Sequence, residues 1–155
     1  MQLNNQLILI VKKIVNFDKF LQSINFFLNI KLISITNIKN KSLNFHARFS
    51  AKQRIYTYVI FNRISRPSIE KNRGWHIRKK LDLKLMKKGA KKLLGTNDFS
   101  TFRSSSCNAK SSIRTIKSIK IKEVKNKIQI QFKSQSFLQQ QVRSMVGCLK
   151  QGAGG

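Results

Sequence analysis

The side chains able to move protons or hold ions are few in this chain, and their positions narrow the chemistry quickly. Against 32 Lys and Arg there are 5 Asp and Glu, so acid–base work has only Asp18, Glu70, Asp82, Asp98 and Glu123 to draw on. Asp18 in "NFDKFL" and Asp82 in "LDLKL" stand at the starts of helical patterns, where a carboxylate ordinarily caps backbone N–H groups. Asp98 in "GTNDFSTFR" reads as a turn or cap residue. Glu70 falls in a polar loop, and lysines flank Glu123 on a strand. All five are read as structural. His46 and His76 have no Cys or carboxylate at ligand spacing, which argues against a metal site. No glycine-rich phosphate loop or nucleophile elbow is present. Cys107 and Cys148 are too few and too far apart for a disulfide framework or a metal knuckle, and fit a reduced, cytoplasmic setting. The segment "NFHARFSAKQRIYTYVIFN" (residues 44–62) is richer. Tyr56 and Tyr58 share one face of a strand near Arg48 and Arg54, which suits a base-stacking surface beside a phosphate clamp. Two half-buried tyrosines with hydroxyls at the rim give the same pattern, and the residues alone leave both readings open.

The totals set the frame for that segment. A formal net charge of +27 draws polyanions, and a nucleic acid is the obvious one. A coding sequence rich in A and T would also enrich Lys, Asn and Ile, so part of the charge is open to a passive origin. Hydrophobic residues at 41%, with 11 Phe, are enough for a packed core in a chain of 155 residues, read as one domain or a piece of something larger. The apolar run in "MQLNNQLILIVKK" is far too short to span a bilayer and lacks a basic region before it, so no membrane partner is expected.

Periodicity then predicts the elements that must position these side chains. "FDKFLQSINFFLNI" spaces Phe17, Phe20, Leu21, Ile24, Phe27 and Leu28 as a helix, and "KLISITNI" (31–38) reads as a strand. Residues 53–61 alternate as a strand, with Ile55, Thr57, Val59 and Phe61 on one face and Tyr56, Tyr58 and Ile60 on the other. The first set is taken as the core face. "LDLKLMKKGAKKLLG" is an amphipathic helix with Leu83, Met86, Ala90 and Leu93 inward and Gly95 as its stop. "SIKIKEVKNKIQIQFK" is a hairpin, and "SFLQQQVRSMVGCLK" closes as a helix with Leu138, Val142, Met145, Val146 and Leu149 on one stripe. The order predicts an α+β fold, a mostly antiparallel sheet with helices packed on one face.

Three segments, "FHARFSAKQRIYTYVIFN", "LLGTNDFSTFRSSSC" and "SFLQQQVRSMVGCL", in this order and at these separations, resemble the tRNA pseudouridine synthase A family from about Asn16 to Leu149. The resemblance implies a pseudouridine synthase-like fold, and conversion of uridine to pseudouridine in the tRNA anticodon stem-loop (positions 38 to 40) without a cofactor. It implies tRNA as partner, a homodimer, and a catalytic aspartate held ionised by a basic residue. Residue by residue, Tyr56 matches the tyrosine that stacks on the target base, and Arg143 the late arginine that supports the aspartate. Arg48, Arg54 and Arg103 match basic positions along the RNA path. His46 and Phe49 belong to the motif, with packing an equal reading. The family's "R-T-D-A-G-V-H" signature, which carries the aspartate, has no match here. Its place holds "MQLNNQLILIVKK", in which Asn5 cannot replace a carboxylate. The expectation is therefore a fold incomplete at both ends. Residues 1–43 are expected as a remnant of an N-terminal half, 44–150 as a ferredoxin-like C-terminal half bearing the motifs, and 151–155 as a tail. The isolated chain is expected to be inactive unless a partner chain supplies the acid. A non-catalytic RNA-binding half-domain and a decayed gene product are the alternatives.

Overall fold

The structure is a computed structural model describing residues 16–31, 33–47 and 49–154. It divides near residue 51 into two compact units. In the first, helix α1 (Phe17–Leu28) starts where the Asn16 side chain accepts from Lys19 N at 2.9 Å. A 3₁₀ turn, Asn29–Lys31, follows. The strand expected over 31–38 does not form among the described residues 33–38. Its backbone has another partner: the Asn25 amide donates to Ile35 O at 2.9 Å and accepts from Ile35 N at 2.7 Å. An asparagine side chain that pairs with both backbone groups of one residue takes the place of a neighbouring strand.

The second unit is a five-stranded mixed sheet under two helices. Its strands are β1 (Arg54–Asn62), β2 (Trp75–Ile77), β3 (Gly95–Asp98), β4 (Ile113–Val124) and β5 (Lys127–Ser134), in spatial order β2-β1-β5-β4-β3. β2 runs parallel to β1 and the other pairings are antiparallel. β4 and β5 form the expected hairpin, closed by Lys125 and Asn126 at φ 47° and 60°. Two successive positive φ angles give a turn whose twist matches the strands.

Helix α2 (Leu83–Lys92) begins at Asp82, whose carboxylate accepts from Lys84 N at 2.7 Å and Leu85 N at 3.1 Å. That is the capping role expected of it. Met86 and Ala90 are buried and Leu83 and Leu93 pack on the core, so the predicted stripe faces inward. Gly95, at φ 88°, turns the chain from helix into β3.

β1 alternates as predicted, but its core face is the other one. Tyr56, Tyr58 and Ile60 stand opposite Phe132, Ile130 and Ile128 of β5 and so share their face. Met86, Met145, Val146 and Leu149 of the helices close over that face, leaving Ile60 at 0% and Ile55 at 57% exposure. Phe61 is buried on the opposite face, where Gly74 lies against its ring and Lys127 Nζ is 5.5 Å from the ring centre.

Helix α3 (Gln141–Ala153) starts five residues later than its apolar stripe suggested. Side chains hold the preceding loop. The Ser134 hydroxyl lies 2.7 Å from the carbonyls of Thr115 and Ser136, and the Gln141 carbonyl oxygen accepts from Leu138 N at 2.8 Å. At its other end α3 runs on through 151–153, expected as a tail. Ala153 is buried, and its carbonyl accepts from Asp82 N at 3.1 Å.

Candidate functional site

β1, β2 and α3 converge on an open cleft of about 580 Å³. Tyr58 comes from β1, Arg73 and Trp75 from the segment entering β2, and Arg143 and Gly147 from α3, one turn apart on the same helix face. The parallel pairing of Ile60 with Trp75 brings the "NRGWH" segment against β1. The approach is close enough to need a glycine: a Cβ on Gly74 would stand 2.7 Å from both Phe61 Cε2 and Val59 O. Asn62 fixes the exit of the same segment, donating to Ile77 O at 3.0 Å and Lys79 O at 2.8 Å and accepting from Leu81 N at 3.0 Å. Two aromatic faces and two guanidinium groups around one opening can take a planar base together with an anionic phosphate or carboxylate. A second opening, of about 550 Å³, lies across Trp75 and Gly147 from the first and adds Phe102, Ser144 and Gln151.

The structure brings some of the expected residues together and separates others. Tyr58 and Arg143 share the cleft. Tyr56, one pleat along on the same face of β1, is 38% exposed and meets Phe137 edge-on at 5.2 Å and 87°. Arg54 donates to the Gln135 carbonyl, which ties the start of β1 to the loop before α3. Arg143 Nη1 is 3.4 Å from the Gln140 side-chain oxygen, at the helix entrance. Arg103 follows the turn Ser100–Phe102 and is not among the residues that line the cleft. There its charge adds to the hydrogen bonds from Ser112 and Ser100 that hold the Asp98 carboxyl below its usual range. It also helps lower the Cys107 thiol, after the backbone N–H groups of Ala109 and Gln139. Arg48 lies outside the described residues. His46 and Phe49, in the first unit, meet with ring centres 4.4 Å apart and planes tilted by 38°.

All five carboxylates fall among the described residues, and none is among those lining the cleft. Asp82 caps α2 and Asp98 accepts from Ser100 N at 2.9 Å. Glu70 pairs with Lys127 at 2.6 Å, a bond that holds its carboxyl below the usual range. Glu123 is exposed on β4, and Asp18 lies in the first turn of α1. Among the described residues no group of three His, Cys, Asp or Glu could hold a metal ion, and no helix is long and apolar enough to cross a membrane. Sequence reasoning singled out Tyr56 and Arg143 but missed Arg73, Trp75 and Gly147. The cluster of Arg, Trp and His in "NRGWHIR" was the available signal.

A family described as tRNA pseudouridine synthase matches residues 90–154. A tRNA pseudouridine synthase A of Pelagibacter ubique is 71% identical over 139 residues, covering 90% of this chain and 56% of the relative. One from Rhodospirillum centenum is 38% identical over 133 residues (86% and 54%), and one from Anaplasma phagocytophilum 42% over 125 residues (81% and 51%). The chain thus spans about half the length of the curated relatives it matches. Within that span, it belongs to the tRNA pseudouridine synthase A family.

Proposed function

We propose that the chain supplies the uridine-receiving part of a tRNA pseudouridine synthase, acting in the cytoplasm on the anticodon stem-loop. The observation that carries this reading is the cleft itself. Tyr58 and Arg143 line it, and Tyr56 lies one pleat away on the same strand face. A uridine must leave its stack before its glycosidic bond can be broken and the uracil reattached through carbon. A flipped base gains an aromatic face from the tyrosines, and its phosphates gain the surrounding cations. Arg143 then holds ionised the carboxylate that acts at the sugar–base junction, since a guanidinium beside an acid favours the charged form. The isomerisation returns every atom to the same nucleotide and needs no cofactor.

No carboxylate is among the residues that line this cleft, so the acid is assigned to the part of the curated relatives that this span does not match. The test is pseudouridine formation in an anticodon stem-loop RNA. The purified chain alone should give none. Co-expressed with the part of the Pelagibacter ubique relative that it does not match, it should give product. Failure of that pair, under conditions where the intact relative turns over, would remove the synthase reading. The cleft without an acid also supports a second reading, a non-catalytic RNA-binding module, which requires RNA binding with no product in either mixture.

A further inference from the structure

The glycines of the second unit differ in what a side chain would meet. Gly74 faces Phe61 and Val59 at 2.7 Å, and Gly89 faces Leu149 at 3.1 Å, so internal packing explains both. Among the described residues Gly147, like Gly152, has no such neighbour: a Cβ there would meet nothing within 4 Å. Yet it occupies the middle of α3, where glycine is the poorest helix former after proline. It also lines both clefts, as Trp75 does. Helix propensity argues for alanine at this position and the protein's own packing raises no objection. The place of Gly147 in the lining of both clefts leaves that space open to a ligand.

We propose that Gly147 leaves room for a second nucleotide, whose base stacks on Trp75 and whose phosphate is held by Arg73, next to the uridine at Tyr58 and Arg143. Trp75 is 38% exposed, a half-open indole face at the edge of the sheet. Arg73 and Arg143 both line the same cleft as Trp75. Base stacking on an aromatic face is tolerant of sequence, which suits the neighbour of a flipped nucleotide. The inference rests on the RNA-binding reading above and adds to it a second base position.

Trp75 is the chain's single tryptophan, so its fluorescence reports on this position alone. The experiment titrates the chain with a fluorescein-labelled anticodon stem-loop RNA, reading anisotropy for total binding, and with the unlabelled RNA, reading tryptophan emission. Wild type is expected to bind with saturable quenching. Gly147→Ala should raise Tm by about 2–8 °C, as relief of a helix glycine does, while weakening RNA binding about tenfold. Gly152→Ala is the control, because Gly152 also meets nothing within 4 Å and lines neither cleft. It should bind as wild type. Binding by anisotropy without quenching overturns the second position, as does Gly147→Ala binding like wild type or melting below it. An absence of any RNA binding by the wild type removes the RNA reading and this inference with it.

Discussion

Replacing Gly74 with alanine tests how β2 is held against β1, and therefore what sets the shape of the cleft. The added Cβ would stand 2.7 Å from Phe61 Cε2, 2.7 Å from Val59 O and 3.1 Å from Phe61 Cδ2. Ordinary contact begins near 3.4 Å, so the overlap is about 0.7 Å on two sides at once. A rotamer change cannot relieve it. Val59 O is backbone, and the Phe61 ring is 1% exposed with Lys127 5.5 Å from its centre. Overpacking of this kind costs about 1–3 kcal/mol. In a unit of roughly 100 residues each kcal/mol shifts Tm by about 4–8 °C, so Gly74→Ala should melt about 4–24 °C below wild type. Thermal unfolding followed by circular dichroism measures this directly. The tryptophan emission should also shift, because Trp75 follows Gly74 into β2. A Tm within about 2 °C of wild type would refute the argument that close backbone approach fixes glycine at this position.

Three further outcomes follow from the same geometry. The Lys125→Asn, Asn126→Gly pair should stabilise the β4–β5 hairpin by about 0.5–1 kcal/mol, since both positions hold positive φ that the new residues adopt readily; an unchanged or lower urea midpoint would contradict it. Asn62→Ala should cost about 1–3 kcal/mol in chemical denaturation, because it strips partners from Ile77 O, Lys79 O and Leu81 N together. Asp98 has its folded pKa below the ordinary 3.8, through hydrogen bonds from Ser112 and Ser100 and the charge of Arg103. Its contribution is thus complete above pH 3.8 and lost as pH falls through the folded value. Asp98→Asn should flatten the acid loss of stability in that window, and an equally steep loss would contradict it.

Much of the second unit is readable from period alone, because its long elements each have one dominant face. The lysine-backed stripe of α2 and the alternation of β4 and β5 need no knowledge of their neighbours. β1 is different, since both of its faces carry apolar residues. Ile55, Val59 and Phe61 compete with Tyr58 and Ile60, and the winner is set by where α2 and α3 return, which is a tertiary fact. β2 and β3 span three and four residues, too short for a period, and exist through pairing with β1 and β4. The same limit governs the site. Tyr56 and Arg143 are legible through family motifs. Arg73 and Trp75 reach the cleft only through the parallel β1–β2 pairing, which the Arg, Trp and His cluster of "NRGWHIR" does not by itself predict.

The most direct measurement of the central claim, that this cleft receives a nucleotide of tRNA, is the affinity of the chain for an anticodon stem-loop RNA across a salt titration. Wild type, Tyr56→Ala and Arg143→Ala would be compared. Tyr56→Ala should weaken binding by about 1–3 kcal/mol with the salt slope unchanged, as loss of a stacked base does. Arg143→Ala should weaken binding and reduce the slope by about one counterion. If both variants bind as wild type and added salt alone abolishes binding, the attraction is the net charge of +27 acting without a site, and the account is contradicted.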